Sequence, residues 1–320
     1  MSGSAALTQD PTRRLRQQLP PFGEKMLPSA DFAAFCSFYS LDFEARQLDI
    51  SHLAGCIPSG DHSLAVHLWT QPGARANLLL VHGYFDHSGI FNKLIEWGLA
   101  QRCNVLIFDL PGHGLSSGEP AVIDDFADYS RAIRDVLATV TLPALPLWVM
   151  AQSTGCAALF DFARQYDWPF TATVLLAPLI RPAKWLGVSL GHRLLAGFVD
   201  DVERTFSANS SDQEFLAFLC RDPLQSRRIS LRWVGALRRW LRYLPRCDLG
   251  VGPALIIQGD ADTTVDWRYN VGFVGELFPG SRVEYLRGAG HQLANESAQY
   301  RHEYLQHVAD WLNEGGIALG

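Results

Sequence analysis

A short stretch near the middle of the chain most constrains what this sequence can fold into. The apolar run 147–150 predicts a buried strand, and residues 156–160 predict the start of a helix. Only the five residues AQSTG, at 151–155, lie between them. A serine at such a sharp turn has its hydroxyl exposed at the end of a sheet, and the amide after it points out of a helix N-terminus. Ser153 is therefore a candidate nucleophile, and the amide of Thr154 is a candidate oxyanion donor.

The turn departs from the usual pattern G-x-S-x-G at its first position, where this chain has Ala151. Alanine adds a Cβ where the strand and the helix nearly touch, and a slightly displaced serine would result. The five residues taken alone also fit an ordinary serine in a strand–helix loop. The remainder of the chain must decide between these interpretations.

Other apolar runs repeat the pattern of strand and helix. They lie at 77–81, 104–108, 172–176 and 254–258, and the mixed segment at 282–286 continues the same rhythm. Short, wholly apolar strands that alternate with helices predict a mostly parallel central sheet with helices on both faces. Residues 52–70 predict a hairpin, because two strand-like runs flank a Ser-Gly-Asp turn.

The chain divides into three predicted parts. We expect a mobile N-terminal arm at 1–25 and an α/β core at 26–180 and 248–320. Residues 181–247 contain helical patterns without a clear strand, and they predict a helical cap. A cap would cover the carboxyl ends of the strands, where sheets of this kind bind ligands.

Composition limits the class of protein and of partner. The 320 residues are 48% hydrophobic and 19% charged, as in a globular protein, and the net charge of −6 argues against a nucleic-acid partner. No run of 18 apolar residues and no apolar N-terminal signal segment occurs, so we expect neither a membrane span nor a signal peptide. Six scattered cysteines without a C-x-x-C pair predict a reducing compartment and a cytoplasmic location.

The residues needed to activate a serine follow in a suitable order. A general base should come after the last strand, and His291 lies there in a glycine loop. The acid that orients it should follow the preceding strand, where Asp260, Asp262 and Asp266 compete. We choose Asp262, because the loop must turn back towards the histidine before the next helix. Asp260 lies at the strand end, and Asp266 suits a helix cap.

The other histidines are given simpler roles. His82 and His113 occur in turn motifs, so they are expected to hold loops rather than to take part in chemistry. His87 fits the entrance of a site and the protein surface equally well. His302 and His307 share no acid at metal-ligand spacing, so no metal site is assigned.

Four stretches together resemble the α/β-hydrolase superfamily and, within it, the monoacylglycerol lipase and lysophospholipase family, which shares its motifs with serine aminopeptidases. They are HGYFDHSG at 82–89, DLPGHGLSSG at 109–118, AQSTG at 151–155, and GDADTTV at 259–265 with GAGH at 288–291. The similarity extends over roughly residues 50–315. It implies the α/β-hydrolase fold, with Ser153 as nucleophile, Asp262 as acid, His291 as base, and the backbone amides of Tyr84 and Thr154 as the oxyanion hole.

The resemblance implies a serine hydrolase that cleaves carboxylic esters of lipids through an acyl-enzyme on Ser153, without a cofactor or metal. An apolar cap suits a monoacylglycerol or a lysophospholipid. A peptidase or a small-ester hydrolase would use the same triad. A peptidase that grips an amino terminus would want acids in the cap, and 221–246 contains only Asp222. A non-catalytic binding protein is a third alternative, although such proteins usually lose a member of the triad.

Arginines are concentrated in the second half of the predicted cap. Residues 221–246 contain eight arginines, no lysine and one acid. A basic amphipathic helix here suggests peripheral contact with an anionic membrane. The alternative is that its apolar face packs on the core while the arginines pair with acids or face water.

Overall fold

The computed structural model describes residues 11–24, 29–47, 49–205 and 208–314. The strands in these residues are β1 (Ser51–Ser59), β2 (His62–Thr70), β3 (Ala76–Val81), β4 (Cys103–Phe108), β5 (Leu147–Gln152), β6 (Ala172–Leu176), β7 (Asp201–Glu203), β8 (Arg228–Ser230), β9 (Leu255–Gly259) and β10 (Arg282–Leu286).

The α-helices surround these strands. They are α1 (Pro11–Gln18), α2 (Ala30–Phe38), α3 (Phe43–Arg46), α4 (Asn92–Ala100), α5 (Ala127–Thr139), α6 (Thr154–Gln165), α7 (Trp185–Leu195), α8 (Gln213–Leu219), α9 (Leu231–Tyr243), α10 (Trp267–Leu277) and α11 (Ala298–Asn313).

Eight strands form one sheet in the order β1-β2-β4-β3-β5-β6-β9-β10. The pairs β1–β2 and β2–β4 are antiparallel, and all other neighbours are parallel. The predicted mostly parallel sheet and the predicted N-terminal hairpin are thus confirmed. Because β3, β5, β6, β9 and β10 run in the same direction, the loops that follow them meet at one edge of the sheet.

Helices cover both faces of the sheet, as predicted. Residues of α5, α6, α9 and α10 belong to the core on one face, and residues of α2, α4, α8 and α11 belong to the core on the other. Every residue of β3, β4 and β6 is buried. The continuous apolar runs of the sequence are therefore explained by burial on both sides.

The segment between β6 and β9 is not all-helical, contrary to the prediction. It contains α7, α8 and α9, but also a two-stranded antiparallel sheet of β7 and β8. Each of these strands has only three residues, which is too short to produce an alternating sequence pattern.

Helix α9 carries four of the eight arginines of the arginine-rich stretch, and its apolar face is buried. Trp233, Leu237 and Trp240 are at most 6% exposed, and Trp240 Nε1 donates to Asp161 Oδ1 at 3.1 Å. Several arginines in this stretch pair with acids. These pairs are Arg228 with Asp201, Arg232 with Glu119 and Asp124, and Arg246 with Glu276. This packing is what the alternative interpretation of the arginines predicts.

The described N-terminal residues, 11–24, pack on the body of the protein, contrary to the expected mobile arm. Helix α1 is followed by a segment joined to β1, in which Cys56 N donates to Pro20 O at 2.7 Å and Phe22 N donates to Cys56 O at 2.9 Å. Leu19 is buried. The predicted mobile arm at 1–25 is therefore wrong for 11–24, because apolar side chains there pack on the body; residues 1–10 and 25 lie outside the described residues.

Candidate active site

Ser153 occupies a strained turn between β5 and α6. Its backbone has φ 52° and ψ −112°, a conformation that non-glycine residues rarely adopt and that tends to occur at functional sites. A Cβ on Gly155 would lie 2.4 Å from Val81 O, so a glycine is required there. Ala151 is fully buried within β5, opposite Val81 and Leu175. The sheet therefore accommodates the alanine methyl group, and the sharp turn at the serine is still formed.

The structure brings together the three side chains singled out in the sequence. His291 Nε2 lies 2.9 Å from Ser153 Oγ, and His291 Nδ1 lies 2.7 Å from Asp262 Oδ2. The three residues follow β5, β9 and β10 at the same edge of the sheet. Each is 6–7% exposed. This arrangement can transfer the serine proton to the imidazole while the carboxylate fixes the ring and its tautomer.

The two competing acids point elsewhere. Asp260 Oδ1 accepts a hydrogen bond from Gly288 N at 2.6 Å. Asp266 Oδ2 pairs with Arg181 Nη2 at 2.7 Å. Of the three candidates, Asp262 is the one whose side chain reaches the histidine.

The Asp262 carboxylate is held by its own loop. Its Oδ1 accepts hydrogen bonds from Thr264 N at 2.8 Å and Val265 N at 3.2 Å. Burial alone would raise the pKa of Asp262, but the charge and hydrogen bond of His291, together with these amides, lower it below the ordinary value. The carboxylate is therefore ionised at neutral pH, and it can stabilise an imidazolium.

The pKa of His291 is shifted in the opposite direction to that of Asp262. Burial lowers its pKa, but the charge and hydrogen bond of Asp262 and the charge of Asp86 outweigh burial, so the pKa of His291 lies above its ordinary value. The loop is anchored on both sides of the ring. Gly290 N donates to Glu296 Oε1 at 2.7 Å, and Gln292 N donates to Asn209 O at 2.8 Å.

Tyr84 and Thr154, whose amides are the predicted oxyanion donors, line the same cavity as Ser153. In the described part of the chain, neither amide donates to a protein acceptor. The Tyr84 ring stacks on Trp233 with a centroid distance of 4.0 Å, and its hydroxyl donates to Ala121 O at 2.8 Å. Both ends of this side chain are thus fixed, and both amides are available to a ligand oxygen.

A buried polar network beneath the serine was not predicted. Asp86 Oδ1 accepts a hydrogen bond from Gln292 Nε2 at 2.6 Å, and Asp86 Oδ2 accepts from Gly83 N at 3.2 Å and from Gln152 Nε2 at 3.4 Å. Burial raises the pKa of Asp86 above its ordinary value. The available signal was adjacency, because Gln152 precedes the candidate nucleophile and Gln292 follows the candidate base.

The remaining motif histidines lie outside this hydrogen-bonded triad. His82 Nε2 accepts from Leu110 N at 2.9 Å, and His113 Nδ1 lies 2.9 Å from Pro111 O, in line with the loop-holding roles expected of them. Burial lowers the pKa of His113 to about 4. His87 is fully buried and bonds to Asp222 Oδ2 at 2.8 Å, so its expected place at an entrance or on the surface is wrong.

The candidate triad opens into a cavity of about 450 Å³ between the core and the segment that follows β6. This volume falls within the range of small-molecule sites. Much of the wall is apolar, and includes Leu179, Val188, Leu216, Leu219, Ile229 and Val234. Within the described ranges, no group of three His, Cys, Asp or Glu side chains is placed to hold a metal ion.

The fold and the site together define an α/β-hydrolase. The chain belongs to the serine aminopeptidase, S33, family, whose sequence profile matches residues 72–298. The predicted resemblance to the monoacylglycerol lipase type is confirmed.

Individual relatives are distant but extend over most of the chain. Mouse monoglyceride lipase is 27% identical over 297 residues, which are 85% of this chain and 93% of the relative. A monoglyceride lipase homolog of monkeypox virus is 24% identical over 251 residues, 74% of this chain and 89% of the relative. The crystal structure of a soluble variant of Saccharomyces cerevisiae monoglyceride lipase, with a substrate analog, gives a TM-score of 0.71 at 20% identity, with 82% of this chain and 94% of that chain covered.

Proposed function

We propose that this hydrolase cleaves the carboxylic ester of a lipid, either a monoacylglycerol or a lysophospholipid, and that residues 181–247 act as its cap. The observation that carries the proposal is the continuous hydrogen-bonded row from Asp262 through His291 to Ser153 at the base of an apolar cavity. A nucleophile, a base and an orienting acid in contact are the minimum needed for acyl transfer through a serine.

In the first half of the reaction, Ser153 Oγ attacks the ester carbonyl carbon while His291 Nε2 takes the hydroxyl proton. The amides of Tyr84 and Thr154 stabilise the oxyanion that forms. The ester C–O bond then breaks, and His291 returns its proton to the leaving alcohol. An acyl-enzyme remains on Ser153.

In the second half, a water molecule attacks the acyl carbon and His291 takes its proton. The oxyanion forms again in the same place, and its collapse breaks the bond to Ser153 Oγ. The proton on His291 passes to that oxygen, so a carboxylic acid leaves and the serine is restored. Asp262 remains ionised throughout and stabilises the imidazolium in both halves.

Four observations favour a lipid ester over a peptide. The cavity wall is largely apolar, and curated relatives over most of the chain are named monoglyceride lipases. Asp222, the single acid of 221–246, is buried against His87 and Tyr39 rather than in the cavity. The cavity acid Asp86 already accepts hydrogen bonds from three amide groups on its two oxygens. Neither acid is suited to hold the amino terminus of a peptide.

A hydrolysis panel tests this assignment. We expect turnover of a medium- or long-chain monoacylglycerol and of a lysophospholipid, with weaker turnover of p-nitrophenyl butyrate and none of aminoacyl amides. The panel should be measured at equal enzyme concentration and below the critical micelle concentration of each lipid. Preference for aminoacyl amides would replace the lipid-esterase proposal with the peptidase alternative.

The pH dependence of kcat/KM should have an acid limb whose midpoint lies above 6.5, the ordinary pKa of histidine. His291 must be neutral to accept the serine proton, and the Asp262 carboxylate favours its protonated form. Activity is therefore full above the raised pKa and is lost as the pH falls through it. Rate measurements from pH 5 to 9 with a short soluble ester check this, and a midpoint below 6 would contradict it.

We also propose peripheral contact with an anionic membrane, through part of the arginine-rich stretch together with exposed apolar residues in and after α7. No helix in the described ranges is long and apolar enough to cross a membrane. Helix α7 contains no buried residue, and Leu186 and Phe198 are 86% and 87% exposed. Arg193 of α7 lies close to Arg238 and Arg242 of α9. Burial and the charges of the other two guanidinium groups lower the pKa of Arg238. Exposed apolar side chains beside a basic group suit an anionic lipid surface.

Vesicle sedimentation tests this contact. We expect binding to vesicles rich in phosphatidylglycerol at low salt and release at high salt. Replacing Arg238 and Arg242 together by glutamine should weaken binding by roughly 10- to 30-fold, since each basic residue near the surface contributes about 1 kcal/mol. Arg232→Gln is the matched control, because Arg232 is paired with Asp124. Equal loss in the control, or binding that salt does not change, would contradict the proposal.

A further inference from the structure

Arg204 is a cation in the wall of the cavity that contains Ser153. Among the described residues that line this cavity, it is the one lysine or arginine. It comes directly after β7, where its backbone N donates to Arg227 O at 2.9 Å. The small sheet of β7 and β8 leads into α9, which packs on the core. The position of Arg204 is therefore set by the fold rather than by an exposed loop.

The guanidinium group is fixed in direction. Its carbon lies 3.9 Å from the centre of the Phe85 ring, and its Nη1 donates to Gln225 Oε1 at 2.9 Å and to Ser226 O at 3.2 Å. Phe85 has φ 70°, a conformation that is costly for a bulky residue and that requires support from its surroundings. Phe85 directly follows Tyr84, whose amide is a proposed oxyanion donor, so the positive charge lies beside the reacting end of the cavity.

Arg204 is charged under working conditions. Burial lowers its pKa to about 10, while the nearby Asp86 carboxylate and Tyr84 act in the opposite direction. The group is therefore protonated at neutral pH. Asp86 also lines the cavity, but its two oxygens accept hydrogen bonds from Gly83, Gln152 and Gln292 of the core. Arg204 therefore contributes a positive charge to the cavity wall.

We infer that Arg204 determines head-group specificity, and that it selects lipid esters whose alcohol carries an anionic phosphate over neutral monoacylglycerols. This inference rests on the lipid-esterase function proposed above. Of the two substrates proposed there, it favours the lysophospholipid over the monoacylglycerol. A planar guanidinium group binds phosphate oxygens with directed, charge-assisted hydrogen bonds. The apolar wall formed by Leu179, Val188 and Ile229 provides a separate surface for the acyl chain.

A simpler role would be to hold the β7–β8 sheet against the loop that contains Gln225. In that case the replacement of Arg204 would affect phosphate-bearing and neutral substrates alike. The ratio of the two affinities or activities distinguishes the roles, whereas the loss of either one alone does not.

Binding can be measured without turnover. Ser153→Ala protein is titrated with two ether-linked lipids of equal chain length, an alkyl glycerol and an alkyl glycerophosphate, by calorimetry below their critical micelle concentrations. We expect the phosphate to improve affinity by roughly 10- to 100-fold, as for hydrogen bonds to charged groups. Arg204→Gln in the Ser153→Ala background should remove the preference for the phosphate-bearing lipid. Arg204→Lys in the same background should retain part of that preference. Arg221→Gln should leave the ratio unchanged, because Arg221 is exposed and does not line the cavity.

Two further titrations distinguish which anion Arg204 binds. Inorganic phosphate alone and a free fatty acid of the same chain length are titrated in parallel. Tight binding of the fatty acid that depends on Arg204 would mean that the guanidinium binds the carboxylate of the product, and would overturn the inference. An equal affinity for the two ether lipids, or an equal loss of both in Arg204→Gln, would also overturn it.

Hydrolysis by the unmodified enzyme completes the test. We expect kcat/KM for the lysophospholipid to exceed that for the monoacylglycerol, and the ratio to fall at least tenfold in Arg204→Gln. Turnover of both lipids without a preference rejects the role of Arg204 and leaves the esterase proposal intact. Turnover of neither lipid rejects the esterase proposal, and the binding ratios then still decide whether Arg204 recognises phosphate. A thermal melt of each variant verifies that it is folded.

Discussion

Ester hydrolysis by Ser153→Ala is expected to fall by roughly 10⁴- to 10⁶-fold relative to the unmodified enzyme. The alanine removes Oγ, the atom that lies 2.9 Å from His291 Nε2, and no acyl-enzyme can then form at this position. The turn itself should persist, because its sharp bend depends on the packing of β5 and α6 rather than on the hydroxyl. Initial rates on a short soluble ester and on a monoacylglycerol measure the loss.

Ser281→Ala provides a matched control, since Ser281 Oγ donates to Phe278 O after α10 and does not line the cavity. It should retain full activity and labelling by a fluorophosphonate probe, whereas Ser153→Ala should lose both. Activity that survives in Ser153→Ala at more than about one part in a thousand would assign the nucleophile to another residue.

Asp262→Asn is expected to reduce kcat by about 10⁴-fold, the effect known for an orienting acid in a serine triad. An asparagine cannot stabilise the imidazolium, and it allows the ring to adopt the wrong tautomer. The residual activity should also have its acid limb at lower pH than in the unmodified enzyme, because the charge of Asp262 no longer raises the pKa of His291. Full pH–rate profiles of both proteins measure the two effects together.

Asp260→Asn and Asp266→Asn are the natural controls, since all three acids lie in the same loop. Asp260 caps the Gly288 amide and Asp266 pairs with Arg181, so each change should alter stability more than the chemical step. A loss at Asp266 as large as that at Asp262, with an equal displacement of the acid limb, would show that the wrong acid had been chosen.

The central part of the fold could be predicted from the sequence because its signals are local. Wholly buried strands such as β3 and β4 leave continuous apolar runs, and each loop that follows a strand of the parallel sheet ends at the same edge. Chain order alone then places Ser153, Asp262 and His291 near one another. Choosing among the three acids required only the direction in which their loop turns.

The features that were missed depend on contacts distant in sequence. Strands β7 and β8 form because residues 201–203 meet residues 228–230, and neither segment has a strand pattern by itself. His87 becomes buried through Asp222, which lies 135 residues away. Arg204 faces the cavity because this small sheet positions it over Phe85. Arginines such as Arg232 were misleading for the same reason, since the acids that pair with them, such as Asp124, lie far along the chain.

The formation of a covalent acyl-enzyme on Ser153 is the central claim, and trapping that intermediate tests it most directly. The enzyme is mixed with an excess of p-nitrophenyl ester, quenched in acid within the first turnovers, digested and analysed by mass spectrometry. The account predicts that the peptide containing Ser153 gains the mass of one acyl group, and that Ser153→Ala gains none. An acyl group on a different residue, with Ser153 unmodified while the ester is turned over, would contradict it.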